Sequence, residues 1–170
     1  EFKGVIFIAL GLIILASLAS FTPYDLRFYT SHPNYPPKNL IGGFGAQLAR
    51  WLLFLFGWAS YLIPAVIIFL GVRLFSQRKP DLRLPRLAGL SVLLLSASSL
   101  LGMLTNTRQA LSFSRGGYLG FVLSNFASNY FGKLGGYIIF SCLAILSFAL
   151  VTEVLISTLI HRIKDWVGPC

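Results

Sequence analysis

The chain has 170 residues, 56% of them hydrophobic and 11% charged, with a formal net charge of +9. A soluble domain carries about 25% charged residues and could not hide this much apolar surface. The composition excludes an ordinary soluble domain, and it directs the basic excess toward anionic lipid headgroups rather than DNA.

Four uncharged apolar runs follow in chain order, at 4–22, 51–72, 87–107 and 134–152. About 20 apolar helical residues cross a hydrocarbon core of about 30 Å. The reading is an all-α membrane protein with four transmembrane helices, at 4–22, 51–75, 87–107 and 134–157. Four crossings place both termini on one side. The 73–86 loop concentrates Arg73, Arg78, Lys79, Arg83 and Arg86, while Lys3, Arg162 and Lys164 flank the termini. The totals on the two sides are close, eight cations against six, and the density of the 73–86 loop makes that side cytoplasmic. The chain opens on Glu1 rather than Met and is read as a piece of a longer protein.

The longer segments between runs one and two, and between three and four, fall on the outer face. Within the second, 116–132 is uncharged but is not assigned as a crossing. Ser124, Asn125, Ser128 and Asn129 form one helical stripe, opposite Leu119, Val122, Leu123, Phe126 and Tyr130. This predicts an amphipathic interfacial helix at 117–131, lying in the interface or packed over the bundle. Gly42-Gly43-Phe44 opens a comparable segment that closes at Phe56-Gly57, where the true second span can begin. Gly116-Gly117-Tyr118 and Phe131-Gly132 bracket the later one. The separations are 15 from Gly42 to Gly57 and 16 from Gly116 to Gly132. They suggest an internal duplication of crossing, outer loop, interfacial helix and crossing, with chance similarity as the competing explanation.

The chain has no phosphate-cradling loop, no HExxH and no CxxC pair. His32 and His161 fall on opposite sides of the membrane and cannot share a site. No catalytic residue, cofactor or metal is expected. Glu153 is the one acid within an apolar run, a position that marks a functional candidate by default. Its nearness to the cytoplasmic end favours a structural pairing with a cation there. Pro64 is expected to kink the second span, and Gly57, Gly71, Gly132, Gly135 and Gly136 to permit close helix packing. Asp25, after Pro23, suits capping of turn N–H groups. Asn39 suits a cap at the start of the Gly42 segment, and Gly42, Gly43 and Gly45 relieve backbone crowding there.

The motifs Phe21-Thr22-Pro23-Tyr24-Asp25, Asn39-Leu40-Ile41-Gly42-Gly43-Phe44-Gly45-Ala46, Phe56-Gly57 and Tyr61-Leu62-Ile63-Pro64 occur in this order. Gly116-Gly117-Tyr118-Leu119-Gly120 and Phe131-Gly132-Lys133-Leu134-Gly135 follow. Together they resemble the four-helix N-terminal membrane domain of the FtsK family of bacterial DNA translocases, over nearly the whole chain. The match departs at Leu26-Arg27-Phe28-Tyr29, where tryptophan is common, and at Ala49-Arg50, which replaces an Ala-Asp pair. The role of that family acid therefore does not transfer. The resemblance implies a membrane anchor in the bacterial inner membrane at the division septum, with a cytoplasmic motor outside these residues. It also implies contacts with other division proteins and self-association set mainly by the motor. Sequence-specific nucleic-acid binding is not expected here. The competing reading is a small transporter or channel that uses Glu153 and the kink at Pro64.

Overall fold

The computed structural model describes residues 2–26, 30–75, 84–104 and 109–167, with side chains described at 2–26, 30–75, 87–104 and 115–151. The described residues are helical, with no strand among them. Helix α1 spans Phe2–Ala19, α2 Gly42–Phe56, α3 Leu62–Phe75, α4 Leu84–Met103 and α5 Gln109–Val167. Among the described residues three stretches are long and apolar enough to cross a membrane: Phe2–Ala19, Gly42–Phe75 and Arg115–Val151. Leu87–Met103 is a shorter apolar helix.

The long stretches are broken at glycines. α2 stops because Gly57 adopts φ 58°, ψ −136°, while its N–H still bonds the Leu53 carbonyl. A 3-10 turn, Gly57–Tyr61, then leads into α3. The predicted 51–75 span is therefore two helices. α5 is interrupted at Gly117 (φ 66°, ψ −175°) and Gly132 (φ 72°, ψ 170°), which isolate a middle segment at 118–131. These backbone values are essentially reserved for glycine. Pro64, where sequence places the kink, stands in the first turn of α3. A missing N–H is tolerated there, so the chain redirects upstream, at Gly57–Tyr61.

α1 packs chiefly on α3, and α4 on α5. A bilayer supplies little hydrophobic drive between helices, so small residues and close backbone approach hold such contacts. A Cβ on Gly4 would lie 2.5 Å from the Phe75 nitrogen, and one on Gly11 2.5 Å from Ile68 Cγ1. Two core clusters result. Ile14, Leu18 and Ala49 form one, with Leu48 and Leu52 against it. Met103, Ala127 and Phe140 form the other, with Leu123 and Tyr137.

Each half also carries one tyrosine tie. Tyr61 Oη donates to the Leu18 carbonyl at 3.2 Å, and Tyr137 Oη to the Met103 carbonyl at 2.8 Å. The first bond fastens the turn ahead of α3 to the end of α1, and the second fastens α5, just past its break at Gly132, to the end of α4. Tyr61→Phe and Tyr137→Phe are each expected to lose about 1 kcal/mol. The losses should add in the double variant, because the ties sit in different clusters. Thermal unfolding in detergent checks this, and strong non-additivity would show that the two halves are coupled.

Candidate functional site

Two features gather the motif residues. The first is a loop organised on Asp25. The 3-10 turn Pro23–Asp25 places this carboxylate, which is buried, at the end of α1. Asn34 Nδ2 donates to Oδ1 at 2.9 Å and the Lys38 N–H at 3.0 Å. Oδ2 accepts from the Asn39 N–H at 2.8 Å and the Thr22 hydroxyl at 3.2 Å. Asp25 thus bridges loop residues 9 to 14 positions away, beyond the local turn the sequence suggests. Asn39 is buried in turn: its Nδ2 donates to the Ser17 carbonyl at 2.8 Å. Its Oδ1 accepts from the Ile41 N–H at 3.0 Å. That is an Asx turn ending on Ile41, the N-cap residue, so Asn39 orients α2 without being its N-cap. Gly45 closes the arrangement, since a Cβ there would meet Asn39 Oδ1 at 2.5 Å and Ser17 Oγ at 2.8 Å.

Burial alone would raise the Asp25 pKa. The hydrogen bonds from Asn34, Lys38, Asn39 and Thr22 outweigh it and hold the carboxyl below its ordinary value. With the folded pKa depressed, the unfolded chain binds more protons near pH 4. The stabilisation is therefore complete above the unfolded value of about 4 and is lost as pH falls through the folded value. Thermal unfolding is expected to drop between pH 6 and pH 3, by less in Asp25→Asn. An equal drop in both chains would remove Asp25 as the cause.

The second feature is a seam between the halves. A Cβ on Gly57 would overlap the Arg115 carbonyl oxygen and lie 2.6 Å from the Gly117 nitrogen. One on Gly117 would overlap the Gly57 nitrogen and meet the Leu55 carbonyl at 2.6 Å. Around this contact Phe54 stacks on Tyr118, with centroids 5.9 Å apart and planes 4° apart. The Arg115 guanidinium lies 5.9 Å from the Trp58 ring centroid. Ser98 Oγ of α4 donates toward the carbonyls of both Gly116 and Phe56, bridging the halves. Gly116 and Gly120 press on α4: a Cβ on Gly116 would sit 2.7 Å from Gly102 Cα, and one on Gly120 2.6 Å from Ser98 Oγ.

The face of the α5 middle segment that meets the bundle draws on both sides of its polarity pattern, Leu123 from one and Ser124 from the other. Gly120, Ser124 and Ala127 are buried, while Val122, Phe126 and Tyr130 are exposed beside Asn125 and Asn129. Small residues let the backbones approach; the large apolar ones do not. Among the described residues a Cβ on Gly135 would meet only Phe131 Cβ, whereas one on its neighbour Gly136 would lie 2.6 Å from Met103 Cε of α4. Ser98, Gly102 and Tyr137 escape the sequence reading, although Ser98 and Gly102, one turn apart on an apolar helix, carry the small-xxx-small signature.

Arg73 closes α3, its guanidinium 4.9 Å from the Phe69 ring centroid. Arg78, Lys79 and Arg83 lie outside the described residues, and the side chains of Arg86 and Glu153 lie outside the described side chains. An apolar crevice between α3 and α4 is lined by Leu62, Ile63, Val66, Ile67 and Leu94, with Ser91 its one polar lining residue. Among the described residues no three His, Cys, Asp or Glu side chains gather where they could hold a metal.

The 4TM region of DNA translocase FtsK/SpoIIIE matches residues 1–164. The chain belongs to this family. It is 32% identical over 165 residues to the DNA translocase FtsK of Shewanella oneidensis, covering 94% of this chain and 18% of that protein. It is 31% identical over 144 residues to that of Rickettsia prowazekii, covering 85% and 19%. Against that of Vibrio vulnificus it is 30% identical over 158 residues, covering 89% and 15%. The chain thus spans less than a fifth of the length of these relatives. No solved structure matches it. The 4TM domain described above is a helical membrane domain, and its sequence motifs fall on the Asp25 loop and the glycine seam.

Proposed function

We propose that this 4TM domain anchors and docks a DNA translocase at the division septum of the bacterial inner membrane, serving chromosome segregation and cytokinesis. The family match over residues 1–164 carries the reading. In it the chain crosses four times with both termini cytoplasmic. The Asp25 loop, α2 and the middle segment of α5 form the outer face, and the ATP-driven motor lies in another part of the protein. Catalysis and cofactors belong to that motor. The partners of this domain are lipid, other division-site membrane proteins and further copies of itself. The geometry supports an architectural role: the hydrogen bonds at Asp25 and the Gly57–Gly117 contact hold a surface in shape and gather no reactive constellation.

A fluorescent fusion of the chain in dividing bacteria tests the reading. Enrichment at midcell over the lateral membrane is the expected result. Uniform membrane fluorescence in correctly inserted protein would overturn it.

A further inference from the structure

The two halves are fastened at the seam and part below it. At the seam, the Gly57 and Gly117 backbones meet and Ser98 bridges to Phe56 and Gly116. Beyond it α3 packs on α1 and α4 on α5, and among the described residues α3 and α4 scarcely touch. The apolar crevice, about 190 Å³ in volume, lies in this gap. Its upper wall includes Leu94, one helical turn from Ser98. Leu62 and Ser91 in its lining are exposed, so it opens sideways toward the surroundings of the bundle.

The two faces of α3 differ in what covers them. Pro64, Ile68, Gly71 and Phe75 lie against α1, at Gly4, Ile8 and Gly11. Leu62, Val66, Phe69 and Arg73 follow one another at spacings of four, three and four residues, which sets them along the opposite face. Leu62 and Val66 line the crevice, and Phe69 is exposed. A helical side chain leans toward the N-terminus of its helix. The Arg73 guanidinium does so, 4.9 Å from the Phe69 ring centroid. One cation thus closes an uncovered apolar stripe at the end away from the seam. From Leu62 to Arg73 the helix rises about 16 Å. Half of a hydrocarbon core is about 15 Å. The stripe therefore has the depth of a single leaflet, with its charge at headgroup level and its crevice toward the midplane. By sequence, the 73–86 connection that joins these same two helices carries five cations and one acid, Asp81. Basic pockets between membrane helices attract anionic headgroups.

We propose that the gap between α3 and α4 is a binding site for one anionic phospholipid, with an acyl chain in the crevice and the phosphate on Arg73. In the four-crossing arrangement this lipid belongs to the cytoplasmic leaflet. It completes the joint between the halves: backbone contact closes one end, and lipid fills the other. Acyl chains are the apolar filler available at this depth, and the charge at Arg73 selects the headgroup. The inference rests on α3 and α4 crossing the bilayer, not on the division role.

The chain is reconstituted in nanodiscs of equal parts phosphatidylglycerol and phosphatidylcholine with identical acyl chains. It is then released in mild detergent and weighed by native mass spectrometry. One retained phospholipid per chain is expected, with phosphatidylglycerol favoured at least about fivefold, the effect of one basic side chain beside an anionic headgroup. Arg73→Gln is expected to lower that preference about fivefold while still retaining a lipid. Ser91→Phe places a ring in the crevice and is expected to lose the retained lipid. Ile138→Phe, at an exposed apolar position of α5, is expected to change neither retention nor preference. Equal retention of the two lipids by the unaltered chain would overturn the proposal. So would retention that survives Ser91→Phe, equal loss in Ile138→Phe, or detergent held in place of lipid. If Ser91→Phe does not fold, the competition in the unaltered chain and in Arg73→Gln decides, and a preference unchanged by Arg73→Gln overturns the site. Septal enrichment is read separately, so loss of one result leaves the other standing.

Discussion

Asp25→Ala is expected to cost about 2–4 kcal/mol, the largest loss available from a single side chain of the loop. Hydrogen bonds to a charged group are worth about 1.5–3 kcal/mol each, and the four at Asp25 act as one network, so their losses do not simply add. The Asn39 N–H bond to Asp25 is buried, so removing the carboxylate takes away that donor's protein partner. The Asn39 side chain would then lose its fixed position under α2, and with it the contact to the Ser17 carbonyl. Asp25→Asn is expected to recover little, because an amide nitrogen cannot accept from N–H donors. Protease sensitivity of residues 30–41, together with the unfolding midpoint in detergent, checks the result. A loss below about 0.5 kcal/mol would mean that the loop is held by something other than its acid.

The second large effect separates backbone conformation from packing. Gly132→Ala meets open space, so it carries only the strain of its backbone, about 1–3 kcal/mol. Gly57→Ala and Gly117→Ala carry a similar strain and also drive a methyl into the facing backbone, which has no side chain to rotate away. Overpacking adds about 1–3 kcal/mol. Each seam variant is therefore expected to lose about 2–6 kcal/mol, about 1–3 kcal/mol more than Gly132→Ala. Unfolding midpoints for the three variants of the isolated, detergent-solubilised chain give the comparison. Equal losses at all three would show that the seam contributes nothing beyond its dihedral angles.

Much of the helical plan is legible because a bilayer imposes strong rules. Uncharged runs of about 20 residues have few other uses. Gly57 and Gly132 stand out beside aromatics at the ends of amphipathic patterns, and the structure breaks its helices at both. Side-chain direction is less legible. In the middle segment of α5, polarity groups Leu119, Val122, Leu123, Phe126 and Tyr130 on one side without saying whether lipid or protein covers it, and closeness of approach buries Gly120, Ser124 and Ala127. Lipid is as apolar as leucine, so hydrophobicity does not say which face meets protein. The same reason hides Ser98 and Gly102. Pro64 misleads because its effect depends on its distance from a helix start, and that start is set by Gly57. Asp25 reads as a turn acid from its neighbour Pro23, yet its partners at Asn34, Lys38 and Asn39 are fixed only by the return of the loop.

The most direct test of a multi-pass domain with a structured outer face is a cysteine-accessibility map in intact cells. It uses single cysteines at Ser31, Ser114 and Ser128 in the Cys142→Ser, Cys170→Ser background. Labelling at all three by a membrane-impermeant reagent applied from outside is the predicted result. Labelling only from the cytoplasmic side, or protection of Ser128 from both sides at the depth of the bilayer midplane, would contradict the four-crossing arrangement and the outer-face placement of the two glycine-bounded helices.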